Sequence, residues 1–477
     1  MSEPDASSAA PLPPVLAQTA ADDRASGRLN APAASVAPRR GGLKVLLVSH
    51  AFPPINVIGA VRVGKFAKYL HEAGHDVRVI AARAPGDNSL ALEIPPARVH
   101  YAADRPIDAV LDKFAKRVRQ LGGAAGSGAA APLPASSLPV RGRLATALIR
   151  HYYALVRMPD GRAGWISAAT AAGRDVVRDW HPDIVFASAP PNSALVAAAR
   201  IARACGAPWI AELRDLWIGN PYYDEPPWRL WVDHLFEWRV LGSAAGLVTV
   251  SRGWAAALRH RHRQPVACIL NGYVEEDLPD ERSGPAPGDV VSILYTGNIY
   301  PGYRDPSALF QAIGLLGEER GRVAVHFYGP AEAEILPLAS AHGAQDRVFL
   351  HDRVSYTASL ALQASADVLL LLQWNHPKDE GNIPAKFFEY LGAGRPILML
   401  GYEHGDLARM IRERAAGLVC NDPSAIARQL RTWVAQRTAG VPPIDPKARE
   451  GMTRADQFRK LERFLIEALP AGPARAR

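Results

Sequence analysis

Glu380-Gly-Asn-Ile-Pro-Ala-Lys-Phe-Phe-Glu-Tyr-Leu-Gly-Ala-Gly-Arg-Pro-Ile-Leu398 joins the end of a polar loop to a short helix and the start of a strand. The preceding apolar run, residues 367–372 (DVLLLL), is typical of a strand buried in a parallel sheet. Pro384 suits the first turn of a helix, and Gly392 and Gly394 suit its end. The pattern predicts a strand–loop–helix–strand unit of an α/β protein.

Lys386 and Glu389 share one face of this predicted helix. A helix N-terminus at the carboxyl end of a strand attracts phosphate, because its free N–H groups and its dipole point there. Lys386 can neutralise a diphosphate, and Glu389 can accept hydrogen bonds from ribose hydroxyls. The helix therefore predicts a nucleotide-sugar site. The alternative interpretation is an ordinary ion pair between the two side chains on the surface.

Length, composition and charge limit the class of protein. At 477 residues, 48% of them hydrophobic and 21% charged, the chain is expected to form two globular domains. It contains no apolar run long enough for a membrane span and no secretory signal pattern. Three scattered cysteines (Cys205, Cys268 and Cys420) fit a reducing cytoplasm. We therefore expect a cytoplasmic protein.

The net charge of +8 fits an anionic ligand or an acidic membrane surface. Peripheral association with the inner face of the plasma membrane therefore stays open. No basic run with interleaved aromatic residues occurs, so nucleic acid is not an expected partner.

Changes in composition along the chain predict its domains. Residues 1–41 are rich in Ala, Pro and Ser and are expected to form a disordered tail. An N-terminal Rossmann-like domain is expected over 42–281, with a low-complexity insertion at 122–139. Residues 282–290 resemble a linker, and a second Rossmann-like domain is expected over 291–452.

The final segment, residues 453–477, contains an amphipathic helix that is expected to return to the first domain. Together these segments predict an α/β protein with two doubly wound domains facing each other across a cleft.

Glycines follow several predicted strands, where the backbone can approach a ligand closely. Gly59 and Gly297 each lie between a strand and a helix, and Gly329 ends the strand VHFYG. Arg304 follows Gly297 and is a candidate cation for a phosphate. The alternatives are a plain tight turn at Gly59 and a surface pair between Arg304 and Asp305.

Several familiar motifs are absent from the sequence. Neither half has GxGxxG after its first strand, and no GxxxxGK[ST] or Asp-x-Asp occurs. NAD-dependent dehydrogenases and P-loop ATPases are therefore disfavoured. We expect no cofactor and no metal, so that cations and backbone N–H groups must neutralise a diphosphate.

These pieces resemble the retaining GT-B glycosyltransferases of family 4, in particular the bacterial branch that builds surface polysaccharides, including lipopolysaccharide. The resemblance covers roughly residues 43–470. It rests on the Gly59 and Gly297 loops, the VHFYG strand, the IPAKFFEYLGAGRPI helix and the motifs PDGRAGW (159–165), APPN (189–192), RDLW (214–217), VS (250–251) and NG (271–272).

The resemblance implies a role for each part of the site. Glu389 would hold the donor ribose, Lys386 and Arg304 would lie near the phosphates, and the Gly59 loop would close over them. The backbone of Asn382, Ile383 and Pro384 would contact the donor, as would Gly297, Asn298 and Gly329. The reaction would transfer an N-acetylated hexose from a UDP-sugar with retention of configuration and without a metal.

The sequence departs from the family pattern at several positions. Gly381 stands where the family has the first of two glutamates, with Glu380 one residue away. Asn298 replaces an arginine of the family's Gly-Arg-Leu turn, and a histidine is missing from 188–192. Asp215 is the candidate polar group on the acceptor side and is counted with Glu389 and Lys386 among the catalytic candidates. A capping role, or pairing with Arg214, is the alternative.

The acceptor is expected to be a glycan or a prenyl-diphosphate-linked sugar. Residues 143–157 (RLATALIRHYYALVR) could lie in a membrane interface, the alternative being a helix packed on the domain. Trp217, Trp228 and Trp231 could stack on sugar or prenyl groups, the alternative being the core. A UDP-N-acetylglucosamine 2-epimerase and a non-catalytic nucleotide-sugar-binding component of an assembly complex remain rival functions.

Overall fold

The computed structural model describes residues 42–83, 88–104, 150–220, 225–279 and 288–470. The expected tail, the insertion at 122–139, residues 282–287 of the expected linker, 143–149 of the candidate interfacial segment and the last residues, 471–477, lie outside this part of the chain. None of the described helices has the length and apolar character needed to cross a membrane.

The first half of the chain forms a seven-stranded parallel sheet with the order β3-β2-β1-β4-β5-β6-β7. Its strands are β1 (Lys44–Ser49), β2 (Asp76–Arg83), β3 (Val99–Ala103), β4 (Ile184–Ala189), β5 (Trp209–Leu213), β6 (Gly246–Thr249) and β7 (Val266–Cys268). The helices are α1 (Ile58–Glu72), α2 (Trp165–Asp179), α3 (Ser193–Cys205), α4 (Pro227–Leu241) and α5 (Arg252–Arg261).

The second half forms a six-stranded parallel sheet with the order β10-β9-β8-β11-β12-β13. Its strands are β8 (Val291–Thr296), β9 (Val323–Tyr328), β10 (Val348–His351), β11 (Val368–Leu372), β12 (Ile397–Leu400) and β13 (Gly417–Val419). The helices are α6 (Ser307–Gly314), α7 (Glu332–Ala341), α8 (Tyr356–Ser365), α9 (Ala385–Ala393), α10 (Asp406–Glu413), α11 (Pro423–Gln436) and α12 (Arg454–Glu467).

The central strands are apolar at nearly every position because helices cover both faces of each sheet. In β1, Val45 and Leu47 enter one core of buried side chains, whereas Leu46 and Val48 enter the core on the opposite face. Each such side chain contributes roughly 1.5–3 kcal/mol through burial. The predicted fold, two doubly wound α/β sheets of Rossmann type, is confirmed.

Strand order fixes where a ligand site can form. β1 has β2 on one side and β4 on the other, and β8 lies in the same way between β9 and β11. In such sheets the chain leaves in opposite directions on the two sides of this switch point, which opens a crevice at the carboxyl ends of the strands. The first turn of α1, which contains Gly59, follows β1, and the loop that contains Gly297 follows β8, so both glycines lie at a switch point.

The last helix, α12, packs on the first half of the protein. The ring of Phe458 is 2% exposed and lies 5.1 Å from the ring of Phe66 and 5.7 Å from that of Tyr69, centroid to centroid. Glu462 accepts a hydrogen bond from the Tyr69 hydroxyl at 2.7 Å and lies 2.8 Å from Nε2 of His75. Helix α12, which follows the second half, thus connects it to the first half.

Replacing Phe458 with Ala should destabilise the protein by about 3–5 kcal/mol, because it leaves a cavity between α12 and α1. Chemical denaturation followed by circular dichroism measures this change. Arg463→Ala, on the exposed side of the same helix, is the control and should change stability by less than about 0.5 kcal/mol. Equal effects of the two substitutions would contradict the packing of α12 described here.

Candidate active site

A cavity of about 1590 Å³ opens where the carboxyl ends of the strands of both sheets meet. All but one of the site residues predicted from the sequence line it. They are Gly59, Asp215, Gly297, Asn298, Arg304, Asn382, Ile383, Pro384, Lys386 and Glu389. Gly329 is the exception. Its amide donates to the carbonyl of His351 at 3.1 Å, and Gly329 packs against the backbone of Gly297 behind the wall.

Positive charge dominates the wall of this cavity. Seven cationic side chains line it, against four carboxylates. The cations are Arg62, Lys65, Arg214, Arg304, Arg353, Lys386 and Arg454, and the carboxylates are Glu93, Asp215, Asp277 and Glu389. An excess of cations around a cavity favours an anionic ligand.

Lys386 lies directly against the turn that follows β8. Gly297 has φ +114°, which favours glycine, and a Cβ added there would lie 2.8 Å from Cε of Lys386 and would displace the lysine from this place. The ammonium also lies 4.2 Å from the centroid of the Tyr295 ring. Burial lowers the pKa of Lys386 to about 7, with repulsion from Arg304 adding to the shift and Glu389 opposing it.

Glu389 lies one turn further along α9 and forms no ion pair with Lys386 within the described residues. Its carboxylate accepts a hydrogen bond from Nε2 of Gln363 at 3.3 Å, and the same nitrogen lies 3.1 Å from Oγ1 of Thr296. Burial raises the pKa of Glu389, against the hydrogen bond from Gln363 and the charge of Lys386. The carboxylate faces the cavity, which rules out the surface ion pair as an interpretation.

Two arginines converge on Asn298, the residue that replaces an arginine of the resembled family. Arg304 donates to the carbonyl of Asn298 at 2.8 Å, and Arg353 donates to its side-chain oxygen at 2.7 Å. Asp305 accepts from the amide of Ser307 at 2.9 Å, and no ion pair with Arg304 occurs in the described part of the chain. The missing charge at position 298 is thus supplied from two other positions.

Arg214 brings a cation to the first turn of α1. Its guanidinium donates to the carbonyls of Ala189 at 3.1 Å and Pro190 at 2.8 Å. A Cβ added at Gly59 would lie 2.8 Å from Nη2 of Arg214, so a larger residue there would displace the guanidinium. Neither α1 nor α9 has a side chain capping its N-terminus, which leaves backbone N–H groups free at both walls.

Gly381 fits tightly against Trp254 of the first half. A Cβ added at Gly381 would lie 2.9 Å from Cγ of the indole, so no larger residue, a glutamate included, fits at this position. Glu380 is exposed and does not line the cavity. The indole of Trp254 does line it, and it therefore lies where a first glutamate would begin.

A hydrogen bond next to this contact also joins the two halves. The amide of Gly253, in the first turn of α5, donates to the buried carboxylate of Asp406 at 2.6 Å. A carboxylate at a helix N-terminus satisfies free N–H groups and interacts favourably with the helix dipole.

The sequence model of the glycosyl transferase 4-like domain matches residues 59–272, and that of the glycosyl transferases group 1 matches residues 291–436. Each matched region contains one wall of the cavity. The chain is a glycosyltransferase of the GT-B type.

Solved structures share the fold of this glycosyltransferase. Sucrose-phosphate synthase from Thermosynechococcus elongatus aligns with a TM-score of 0.57 at 14% identity, covering 90% of this chain and 100% of its own. Anabaena HepE in complex with UDP aligns with a TM-score of 0.56 at 13% identity, and the alignment covers 89% of this chain and 100% of HepE. A Rickettsia africae glycosyltransferase aligns with a TM-score of 0.55 at 13% identity, and the alignment covers 91% of this chain and 100% of that protein. No curated protein sequence gives a significant match.

The side chains of the glycosyltransferase cavity that the sequence patterns missed include Arg214, Arg353, Arg454 and Trp254. Arg454, at the start of α12, donates to the carbonyls of Asn271 and Gly272 at 3.4 Å, while its buried Nη1 has no hydrogen-bond partner among the described residues. RDLW was the one signal available, since it placed Arg214 next to Asp215 after a strand. The other three reach the cavity from distant elements.

Asp379 supports the loop that leads into α9. Its carboxylate is 1% exposed and accepts from Nδ2 of Asn382 at 3.1 Å. Burial raises the pKa of Asp379 to about 6, although the hydrogen bond from Asn382 lowers it. The side chain of Asn382 is thus held in place, which fixes the backbone before α9.

A second pocket, of about 400 Å³, shares Pro190 and Asp215 with the main cavity. Burial raises the pKa of Asp215, and the charge of Arg214 opposes the shift. Trp217 is 3% exposed and lines this side pocket. Trp228 donates to Nδ1 of His151 at 2.8 Å. Trp231 is 80% exposed and lines neither space, so neither stacking in the cavity nor a core position applies to it.

The affinity of the glycosyltransferase for UDP should fall by about tenfold between about pH 7 and pH 9. The free ammonium of Lys386 has a pKa of about 7 and is protonated below it, whereas at higher pH binding a diphosphate requires uptake of a proton. The terminal phosphate of UDP, with a pKa of about 6, stays ionised over this range. Calorimetry in buffers of different ionisation enthalpy measures the affinity and the protons taken up.

Lys386→Arg is the control for this pH dependence, because a guanidinium keeps its charge at pH 9. Its UDP affinity should be nearly constant over the same range. A variant that loses affinity as steeply as the wild-type protein would show that another group titrates.

Gly381→Ala should destabilise the protein by about 1–3 kcal/mol, because its methyl group overlaps the indole of Trp254. Thermal unfolding measures the change. Gly321→Ala is the matched control, since a Cβ at Gly321 meets no atom within 4 Å. Unfolding of both variants at the same temperature would contradict the tight contact between the two halves.

Proposed function

We propose that this glycosyltransferase transfers a sugar, an N-acetylated hexose, from a UDP donor to a glycan or a prenyl-diphosphate-linked acceptor. The reaction retains the configuration of the anomeric carbon, uses no metal and belongs to the synthesis of a bacterial surface polysaccharide. One observation carries the proposal: Lys386 is held against Gly297, beside Arg304, with no carboxylate within ion-pair distance in the described chain.

The donor side of the reaction needs groups that stabilise a departing diphosphate. Lys386, Arg304 and the uncapped N-terminus of α9 supply positive charge at the place where negative charge grows. These groups are fixed before the reaction, since Gly297 confines Lys386 and Asn298 orients Arg304. Stabilisation that increases as the bond to the diphosphate breaks lowers the barrier of the chemical step.

Glu389 accounts for recognition of the nucleoside. Its carboxylate is oriented by Gln363, and carboxylate oxygens accept hydrogen bonds from the two hydroxyls of a ribose. Anabaena HepE has been solved with UDP and with UDP-glucose, which supports uridine as the base for this chain as well.

The acceptor side is assigned to the first half. Asp215 lies where the main cavity and the side pocket meet, so an acceptor in the side pocket would reach the donor sugar past this carboxylate. Trp254 offers an apolar ring to the donor sugar where the related glutamate is absent. The described cysteines are all free thiols, which supports a cytoplasmic location.

A screen of UDP, GDP, ADP and their sugars tests the donor. UDP and UDP-N-acetylhexoses should raise the unfolding temperature most, because bound ligand stabilises the folded state. Lys386→Ala should weaken UDP binding by about 1–3 kcal/mol through loss of a charge-assisted contact. Lys378→Ala, an exposed residue of the same loop, should bind UDP as the wild-type protein does.

Product analysis by NMR then tests the reaction. Transfer with the anomeric configuration of the donor supports the proposal, and an inverted product contradicts the retaining mechanism. Conversion of UDP-N-acetylglucosamine to its 2-epimer without acceptor would favour the epimerase. Binding of UDP-sugars without turnover on any acceptor pool would favour a non-catalytic component.

A further inference from the structure

Helix α4 buries charged residues on one face and exposes large aromatic rings on the other. Three of its four charged residues, Arg229, Asp233 and Glu237, are buried, each 2% exposed or less. Its opposite face carries Trp231, 80% exposed, and Trp238, 63% exposed. In a helix that packs on a water-soluble core, the apolar residues normally face the core.

The buried charges of α4 are fixed by specific partners. Nε of Arg229 lies 2.9 Å from the carboxylate of Asp233, and its Nη2 donates to the carbonyl of Pro159 at 3.0 Å. Glu237 accepts from the amide of Ile218 at 2.9 Å. Rotating the helix to bury its tryptophans would leave these charges unpaired, so the orientation of α4 is determined by its inner face.

The outer face of α4 combines apolar rings with positive charge. Leu235, 62% exposed, lies between the two tryptophans, which are seven residues and thus about 10 Å apart on one side of the helix. The other exposed side chains near them are Leu230, His234 and Arg239, and both carboxylates of the helix point inward. This outer face, Leu230, Trp231, His234, Leu235, Trp238 and Arg239, therefore contains no acid.

We infer that the outer face of α4 docks on the surface of an anionic phospholipid bilayer. Indole rings favour the boundary between head groups and acyl chains, since their bodies are apolar and their N–H groups are polar. Arg239 and His234 face head-group phosphates, and the absence of carboxylates removes repulsion. A second copy of the chain fits less well, because a two-fold contact would bring two copies of Arg239 into an interface whose faces contain no carboxylate to pair with them.

The inner face of the same helix gives the docking a consequence for catalysis. Arg229 and Asp233 line the side pocket that shares Asp215 with the main cavity. Docking therefore holds this pocket one helix diameter, about 10 Å, from the membrane. A prenyl-linked acceptor could enter it without leaving the bilayer. This consequence rests on the proposed function, whereas the docking itself does not.

Co-sedimentation of the full chain with vesicles tests the inference. The wild-type protein should bind anionic vesicles made from a mixture of phosphatidylglycerol and phosphatidylcholine. Its binding to neutral vesicles of pure phosphatidylcholine should be at least fivefold weaker. The double variant Trp231→Gln/Trp238→Gln should lose at least tenfold in binding to the anionic vesicles. Leu315→Gln/Phe349→Gln removes two exposed apolar side chains of the second half and should bind as the wild type does. Arg239→Glu should lower binding severalfold.

The stabilisation of each variant by UDP shows that it is folded and separates this test from that of the proposed function. The inference would be overturned if the tryptophan double variant bound anionic vesicles as strongly as the wild-type protein does. It would also be overturned if the wild-type protein did not bind anionic vesicles. Equal binding to neutral and anionic vesicles would also overturn it. A wild-type dimer that the double variant dissociates, without vesicle binding, would assign the face to protein association instead.

Discussion

The approach of Lys386 to the backbone of Gly297 is the contact on which the site depends. It requires a glycine in the left-handed region after β8, and it requires α9 to begin beside that turn. It also confines an ammonium where water is scarce, which lowers its pKa toward neutrality. When the charged form of a cation is unfavourable in the free protein, a bound anion stabilises that form strongly. A close contact at a glycine and a buried cation that an anion would stabilise therefore occur at the same place.

The shape of the cavity depends equally on contacts between the halves. Trp254 lies on Gly381, Gly253 donates to Asp406, and Phe458 of α12 anchors the end of the chain on the first sheet. Each contact joins residues far apart in sequence and fixes the distance between the two walls. The indole also takes the space of the absent glutamate. Under the proposed function, this apolar ring would contact the donor sugar by stacking.

Under the two proposals, helix α4 would link recognition of the acceptor to the membrane surface. It packs on the first half through an ion pair as well as through apolar residues such as Leu241, and it exposes Trp231 and Trp238. This orientation of α4 is stable because carbonyls and amides of neighbouring loops form hydrogen bonds with the buried charged groups. A side pocket on one face and an apolar, cationic surface on the other suit an enzyme whose acceptor is part lipid and part sugar.

The sequence by itself determined the alternation of strands and helices, the two sheets and the sharing of one helix face by Lys386 and Glu389. These features follow from local periodicity and from the glycines that end strands. Tertiary structure alone decided that Arg353 and Arg454 join the cavity, that Gly329 stays behind its wall and that Trp231 faces outward. The position of each of these residues depends on which distant elements become neighbours and on which buried charges find partners. Periodicity along one segment contains no information about either.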